Sequence, residues 1–193
     1  DYADYFLGIS GVYLSQGDVS GSERAALDAL RIIDSRNCDG DRDSEHIEKV
    51  VHAAGRLAVL ARDRGDVEFE ARFSERAVGA ANKLVEDFGG DFRVLSNMAF
   101  FWADCEIPAF CDPPQGEELA RRSIELSEEA VPKTYYALAL ALNEQGRFGE
   151  AQEAGLQAWG LWSEHMNEPP VKLRQVMGAV ESQRVGSVAG AKD

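Results

Sequence analysis

The chain has 193 residues, 45% of them hydrophobic and 28% charged, and 34 acidic against 20 basic side chains leave a formal net charge of −14. That apolar fraction is enough to bury a core and excludes wholesale disorder, while a surface so acidic is repelled by phosphate backbones and excludes nucleic acid as a partner. The longest apolar run, from Phe6 to Leu14, is interrupted by Ser10 and two glycines and is far too short to span a bilayer. The chain begins at Asp1 rather than at a methionine, which reads as a processed protein or a piece of a longer one.

Read in chain order, apolar residues recur at helical spacing from the start. Phe6, Ile9, Ser10 and Tyr13 lie on one stripe, Gly17 stops it, and Val19, Ser22 and Ala29 begin a second stripe that Ser20 and Ser22 are placed to cap. The segment 37–48 follows, rich in carboxylates, and Ser44 with Glu48 nearby marks the next helix start. Ala54, Leu57, Ala58, Ala61, Gly65, Val67 and Ala77 then repeat the first pattern, and Gly89-Gly90 ends that pair after Phe88. Leu95, Met98, Ala99 and Trp102 open a third copy. Its turn is enlarged by a segment containing Cys105, Pro108, Cys111 and Pro113-Pro114, and its second helix is expected to resume at Glu117, with Ala120 and Ile124 on the buried side. Tyr135, Leu138, Ala139, Leu142, Gly146, Phe148, Ala151 and Ala158 form the fourth copy. Pro169-Pro170 opens a last helix, and 184–193 reads as a small, polar, mobile tail.

These spacings resemble the tetratricopeptide repeat, a helix-turn-helix of about 34 residues. The insert resembles a bacterial subtype with a short Cys- and Pro-containing segment between the two helices of one repeat. The resemblance implies an all-α fold, a right-handed α-solenoid of about four helical hairpins at 3–35, 44–86, 92–129 and 132–163, with a capping helix near 171–183. Residues 1–183 would then form one domain. It implies protein binding rather than catalysis, with a peptide or protein segment lying on a concave face lined by the first helices.

Projecting that register places His52, Arg62, Arg93, Phe100, Lys133, Tyr136, Leu140 and Asn143 on the inner face. Apolar anchors beside three basic residues suit a peptide that carries an acidic group. An alternative is a structural subunit of a larger, membrane-associated or multi-subunit assembly, held through its convex face or helix ends, to which exposed Trp159, Trp162 and Tyr2 would point. A second alternative is calcium binding: Asn37, Asp39, Asp41, Asp43 and Glu48 stand at the alternate spacings of a calcium loop, although Arg42 occupies the position that normally needs glycine. No other cofactor is expected. Cys105 and Cys111 are close enough in sequence for a disulfide to close the insert, which would point to an extracytoplasmic, periplasmic location, while two reduced cysteines fit the cytoplasm. His46, His52 and His165 do not group with a nucleophile, and no phosphate-cradling loop is present, so the chain is not expected to be an enzyme.

Overall fold

The structure, a computed structural model, describes residues 2–36, 43–104, 108–163 and 168–178; the expected tail 184–193 and the end of the last helix lie outside them. Every regular element among the described residues is helical, and the order of consecutive hairpins is that of an α-solenoid of the tetratricopeptide type. The chain divides into two compact units, Asp1–Phe88 and Gly89–Asp193.

In the first unit α1 (Tyr2–Ser15) pairs with α2 (Val19–Arg36), and α3 (Ser44–Arg64) pairs with α4 (Val67–Phe88). The two hairpins stack through α2 against α3 and α1 against α3. Alanines at 25, 26 and 29 on α2, at 53, 54, 58 and 61 on α3, and at 77 and 81 on α4 are buried, so backbones approach closely and Ile33, Leu57, Leu60 and Leu84 fill the remaining space. Where α1 crosses α2 the small residues are serines. Ser10 Oγ donates to the Ser22 carbonyl at 2.8 Å and lies 2.9 Å from the Ser22 hydroxyl, satisfying two buried polar groups at once. Ser22 therefore does not cap α2. Asp18 does, accepting from the Gly21 amide at 2.8 Å, and Asp43 caps α3 in the same way through the His46 amide.

In the second unit α5 (Phe92–Ala103) pairs with α6 (Pro113–Leu126), and α7 (Pro132–Glu144) with α8 (Phe148–Trp162). A final helix, α9, is described over 171–178. It buries Leu173 and Val176, and Gly155 on α8 lies so close to Leu173 and Met177 that a methyl group there would stand 3.1 Å from Met177 Cγ. Gln152 Nε2 donates to the Met177 carbonyl at 3.0 Å, and Lys172 pairs with Asp104. A hydroxyl relay joins the other three helices: Thr134 donates to Ser96 at 2.8 Å, and Ser123 donates to the Phe92 carbonyl at 2.8 Å.

The insert departs from expectation. α6 begins at Pro113, one turn before Glu117, because Asp112 caps it through the Gln115 amide and prolines at the first two positions forgo amides that have no helical partner. The two prolines start a helix rather than extend a loop. This shift restores the common register. Counted from the first residue of each second helix, Ala29, Ala77, Ser123 and Ala158 are equivalent and all fully buried; Ala120 is buried as expected, and Ile124 only half-buried. Gly116 takes the position of Ser22 and Ala151; a methyl there would meet the Ala103 nitrogen at 3.1 Å and the Ala99 carbonyl at 3.2 Å. The segment 108–110 forms one 3-10 turn whose Phe110 packs its ring 4.9 Å from Phe101.

The other three hairpins turn identically. Gly17, Gly65 and Gly146 have φ of 77°, 73° and 75°. In each, the glycine amide bonds the carbonyl three residues back, and the next amide bonds the carbonyl five back, as in Asp66 to Ala61 and Arg147 to Leu142, both 2.9 Å. Asp18 and Asp66 close one helix with the backbone amide and cap the next with the side chain. The fourth hairpin has Arg147 there instead. It bonds both oxygens of Glu117 on α6, at 2.8 and 2.7 Å, and Glu150 at 2.7 and 2.6 Å, clamping the last turn to the preceding hairpin.

Two outcomes follow. Gly146→Ala should lower stability by about 1 kcal/mol through the left-handed conformation, whereas Gly79→Ala, mid-helix with nothing near its side-chain position, should raise it by about 0.5–1 kcal/mol; urea denaturation of both variants reads the opposite signs. At Glu117 burial pushes the carboxyl pKa up, but hydrogen bonds from Arg121, Gln145 and Arg147 outweigh it and hold the group below its ordinary value. Its stabilisation is therefore complete above the ordinary carboxylate range of about 4.3 and disappears as pH falls through the lower folded-state value. Glu117→Gln should be less stable than the parent at pH 7, with the gap closing at low pH; a constant gap across the pH series would refute the clamp.

Candidate functional site

First helices carry the candidate face, and each unit presents its own. In the second unit α5 and α7 pack side by side, and their sequences are almost free of acid: α5 holds only Arg93, and α7 holds Lys133 and a terminal Glu144. Apart from Glu144, the carboxylates within this unit's hairpin helices sit on the second helices, Glu117, Glu118 and Glu125 on α6 and Glu150 and Glu153 on α8, while Asp91 and Asp104 flank α5.

Lys133 is half-buried on the first turn of α7. Its Nζ bonds Asn97 Oδ1 on α5 at 2.6 Å and lies 5.6 Å from the centre of the Phe100 ring. Phe100 is half-exposed and stacks 5.4 Å from Tyr136, which in turn meets Trp162 edge-on at 5.7 Å. Arg93 is exposed one turn before Asn97, with its guanidinium 5.5 Å from the Phe92 ring. Cation and aromatic face thus stand together on neighbouring helices. The structure brings Phe100, Lys133 and Tyr136 together, with Arg93 two turns before Phe100 on α5, but not as equals. Tyr136 is 7% exposed and Leu140 only 6%, so these two belong to the packed interior and are not open anchors. The helical register places Lys133, Tyr136, Leu140 and Asn143 on the inner face, but packing by the neighbouring helices buries the whole stretch from Thr134 to Leu142 except Tyr135. Asn143 is half-buried at the far end of α7. Trp159 and Trp162 are half-buried too, so the indoles do not form an exposed convex patch.

In the first unit His52 is exposed on α3, its Nε2 3.4 Å from Glu48, and Arg62 lies near the end of the same helix with Nη2 3.3 Å from Asp63. Sequence reasoning missed Arg56, one turn beyond His52. It reaches from α3 to the Leu7 carbonyl of α1 at 3.4 Å, over Gly11, where a methyl group would come within 3.1 Å of its Nη1. Burial pushes its pKa down. The available signal was a lone cation in the run Ala53-Ala54-Gly55-Arg56-Leu57-Ala58. Asn97 was missed as well, being uncharged.

Of the calcium-loop residues, Asn37, Asp39 and Asp41 lie outside the described residues. Asp43 caps α3 and Glu48 faces His52, both occupied in helix contacts. Among the described residues no three acidic, histidine or cysteine side chains are grouped to hold a metal ion. Cys111 is disulfide-bonded; Cys105 lies outside the described residues.

No family model and no curated protein matches the chain. Solved structures do. A crystal structure of the MamA protein aligns with a TM-score of 0.46 at 16% identity, covering 95% of this chain and 82% of the other. A MamA RS-1 ArsTM double mutant aligns with a TM-score of 0.50 at 18% identity, covering 95% and 85%. The second likeness agrees with the tetratricopeptide-like helical repeat and speaks to fold alone.

A non-reducing peptide map is expected to join Cys105 to Cys111 and leave Cys38 as the free thiol, because only five residues lie between the pair and 108–110 turn tightly among them. Recovery of Cys111 linked to Cys38 would reject that pairing.

Proposed function

We propose that this chain is a protein–protein interaction scaffold that takes an acidic peptide segment of its partner along the α5–α7 face. One observation carries the reading: the first helices of the second unit bear Lys133 beside the half-exposed Phe100 ring, Arg93 beside the Phe92 ring and almost no acid, in a chain whose net charge is −14. Such a strip attracts negative charge from an otherwise repulsive surface and places an aromatic ring beside it for an apolar neighbour. A helical-repeat fold supports this use, since stacked hairpins leave first-helix surfaces open along the array. Asn97 holds Lys133 over the ring, so the cation is positioned before a partner arrives.

Peptides selected from a random displayed library against the purified chain should be enriched in Asp and Glu next to an apolar residue. Arg93→Glu combined with Lys133→Glu should weaken the selected peptides at least about tenfold, near 1.4 kcal/mol, with helicity retained, because exposed Arg93 costs about 0.5 kcal/mol or less and loss of the Lys133–Asn97 hydrogen bond about 1 kcal/mol. Peptides without acidic enrichment, or affinities indifferent to the double reversal, would sink the proposal.

A further inference from the structure

The first unit holds a cavity of about 230 Å³ between the end of α2, the first turns of α3 and the middle of α4. Its α4 wall is one stripe, Arg76, Gly79, Ala80 and Lys83, at helical spacing, so the two smallest side chains lie between two cations. Gly79 keeps this wall open. It stands mid-helix, where glycine weakens a helix relative to alanine, and nothing lies within 4 Å of where its side chain would be, so packing within the chain does not call for it. From α3 come apolar Ile47 and Val50, together with the ring of His46.

Charge around this cavity is positive, against the trend of the chain. Two cations meet a single carboxylate, Asp34 of α2, in a protein of net charge −14. Asp34 takes only one donor of Arg76, Nη2, so Nε and Nη1 have no partner among the described residues. Lys83 Nζ lies 2.8 Å from Asp87, one turn further along α4 and not part of the lining, and its ammonium has other hydrogens to give. His46 adds a third polar group. Its Nε2 is buried without a hydrogen-bond partner among the described residues, a condition that folded proteins leave to few atoms.

We propose that this cavity binds a carboxylate on a short apolar stem, the carboxylate held by Arg76 and Lys83 and the stem lying over Gly79 and Ala80 against Ile47 and Val50. Size sets the class: the cavity is smaller than the roughly 300–1,000 Å³ of sites for drug-sized ligands and suits a stem of a few carbons. An inorganic anion would meet the cations but leave the apolar walls uncovered. For His46 the ligand supplies the acceptor that the chain lacks, and a turn of the half-buried ring about its Cβ–Cγ bond brings a nitrogen towards it. A free organic acid and the end of a protein chain with an apolar last residue both offer this chemistry. The site belongs to the first unit and is independent of the peptide face on α5 and α7.

Titration of the isotope-labelled full 193-residue chain with hexanoate, followed by amide chemical shifts, tests it. Shifts at 46–50 and 76–83 should saturate. Hexanol, which lacks the charge, and inorganic phosphate, which lacks the stem, should bind at least about tenfold more weakly. N-acetyl-leucine stands for the end of a protein chain and separates the two sources: binding tighter than hexanoate assigns the site to a partner's last residue, weaker binding to a free acid. Arg76→Gln combined with Lys83→Gln should weaken hexanoate at least about tenfold with helicity intact. Gly79→Leu gives the sharper reading, because helix propensity and binding act on it in opposite directions. Its melting temperature should hold or rise while hexanoate no longer binds. No saturable shift with either acid overturns the proposal, and so does an affinity that hexanol matches or that both variants leave unchanged.

Discussion

Close backbone approach between paired helices is the constraint on which the remainder of this molecule rests. It is enforced by small residues at equivalent points, Ala29, Ala77, Ser123 and Ala158 along the second helices and Ser10, Ala58, Ala99 and Ala139 along the first, all fully buried. A larger side chain at any of them would push the axes apart and strip contacts from the leucines around it. Gly116 shows how tight the fit becomes: in the third hairpin even a methyl group would press on the Ala103 nitrogen and the Ala99 carbonyl. Where the small residue is polar, its hydroxyl is satisfied at the crossing itself, by Ser22 for Ser10 and by the Phe92 carbonyl for Ser123.

Because the inward side of each helix is committed to that packing, charge has to be placed elsewhere, and it is not distributed evenly. In the second unit Glu117 and Glu150 are neutralised on the second helices by Arg121 and Arg147, which also tie the last turn to α6. The first helices are left with Lys133, Arg93 and an aromatic surface. The division follows from the repeat: α6 and α8 can spend carboxylates on holding hairpins together, and α5 and α7, which pack on each other, carry few charges. Function is proposed for the face that packing left least acidic.

α1 shows the same logic from the opposite direction. It packs on α2 and α3, yet Tyr5 and Val12 stay exposed on it where the outward side of α3 carries Glu45, Glu48, His52 and Asp63. Two cations of α3 reach α1: Lys49 pairs with the Asp4 carboxylate, and Arg56 bonds the Leu7 carbonyl over Gly11.

Helix pairing was legible in the sequence because it depends on local patterns: apolar spacing, Gly17, Gly65 and Gly146 at the turns, and Gly89-Gly90 at the end of α4. Each is decided within a few residues by backbone geometry, and so the hairpin boundaries, the all-helical class and the common register of three repeats follow from residue order alone. Tertiary structure decided what spacing cannot reach. Pro113-Pro114 could open a helix or extend a loop, and only Asp112 capping and the contact of Gly116 with α5 select the helix and move the third register by one turn. Tyr136 and Leu140 occupy outward positions on an isolated α7, and their burial comes from the helices around it. Asn97 beneath Lys133 and Gly11 beneath Arg56 are likewise pairings between helices distant in sequence. A helical pattern records which side of a helix is apolar; which neighbour covers that side is settled only when the hairpins stack.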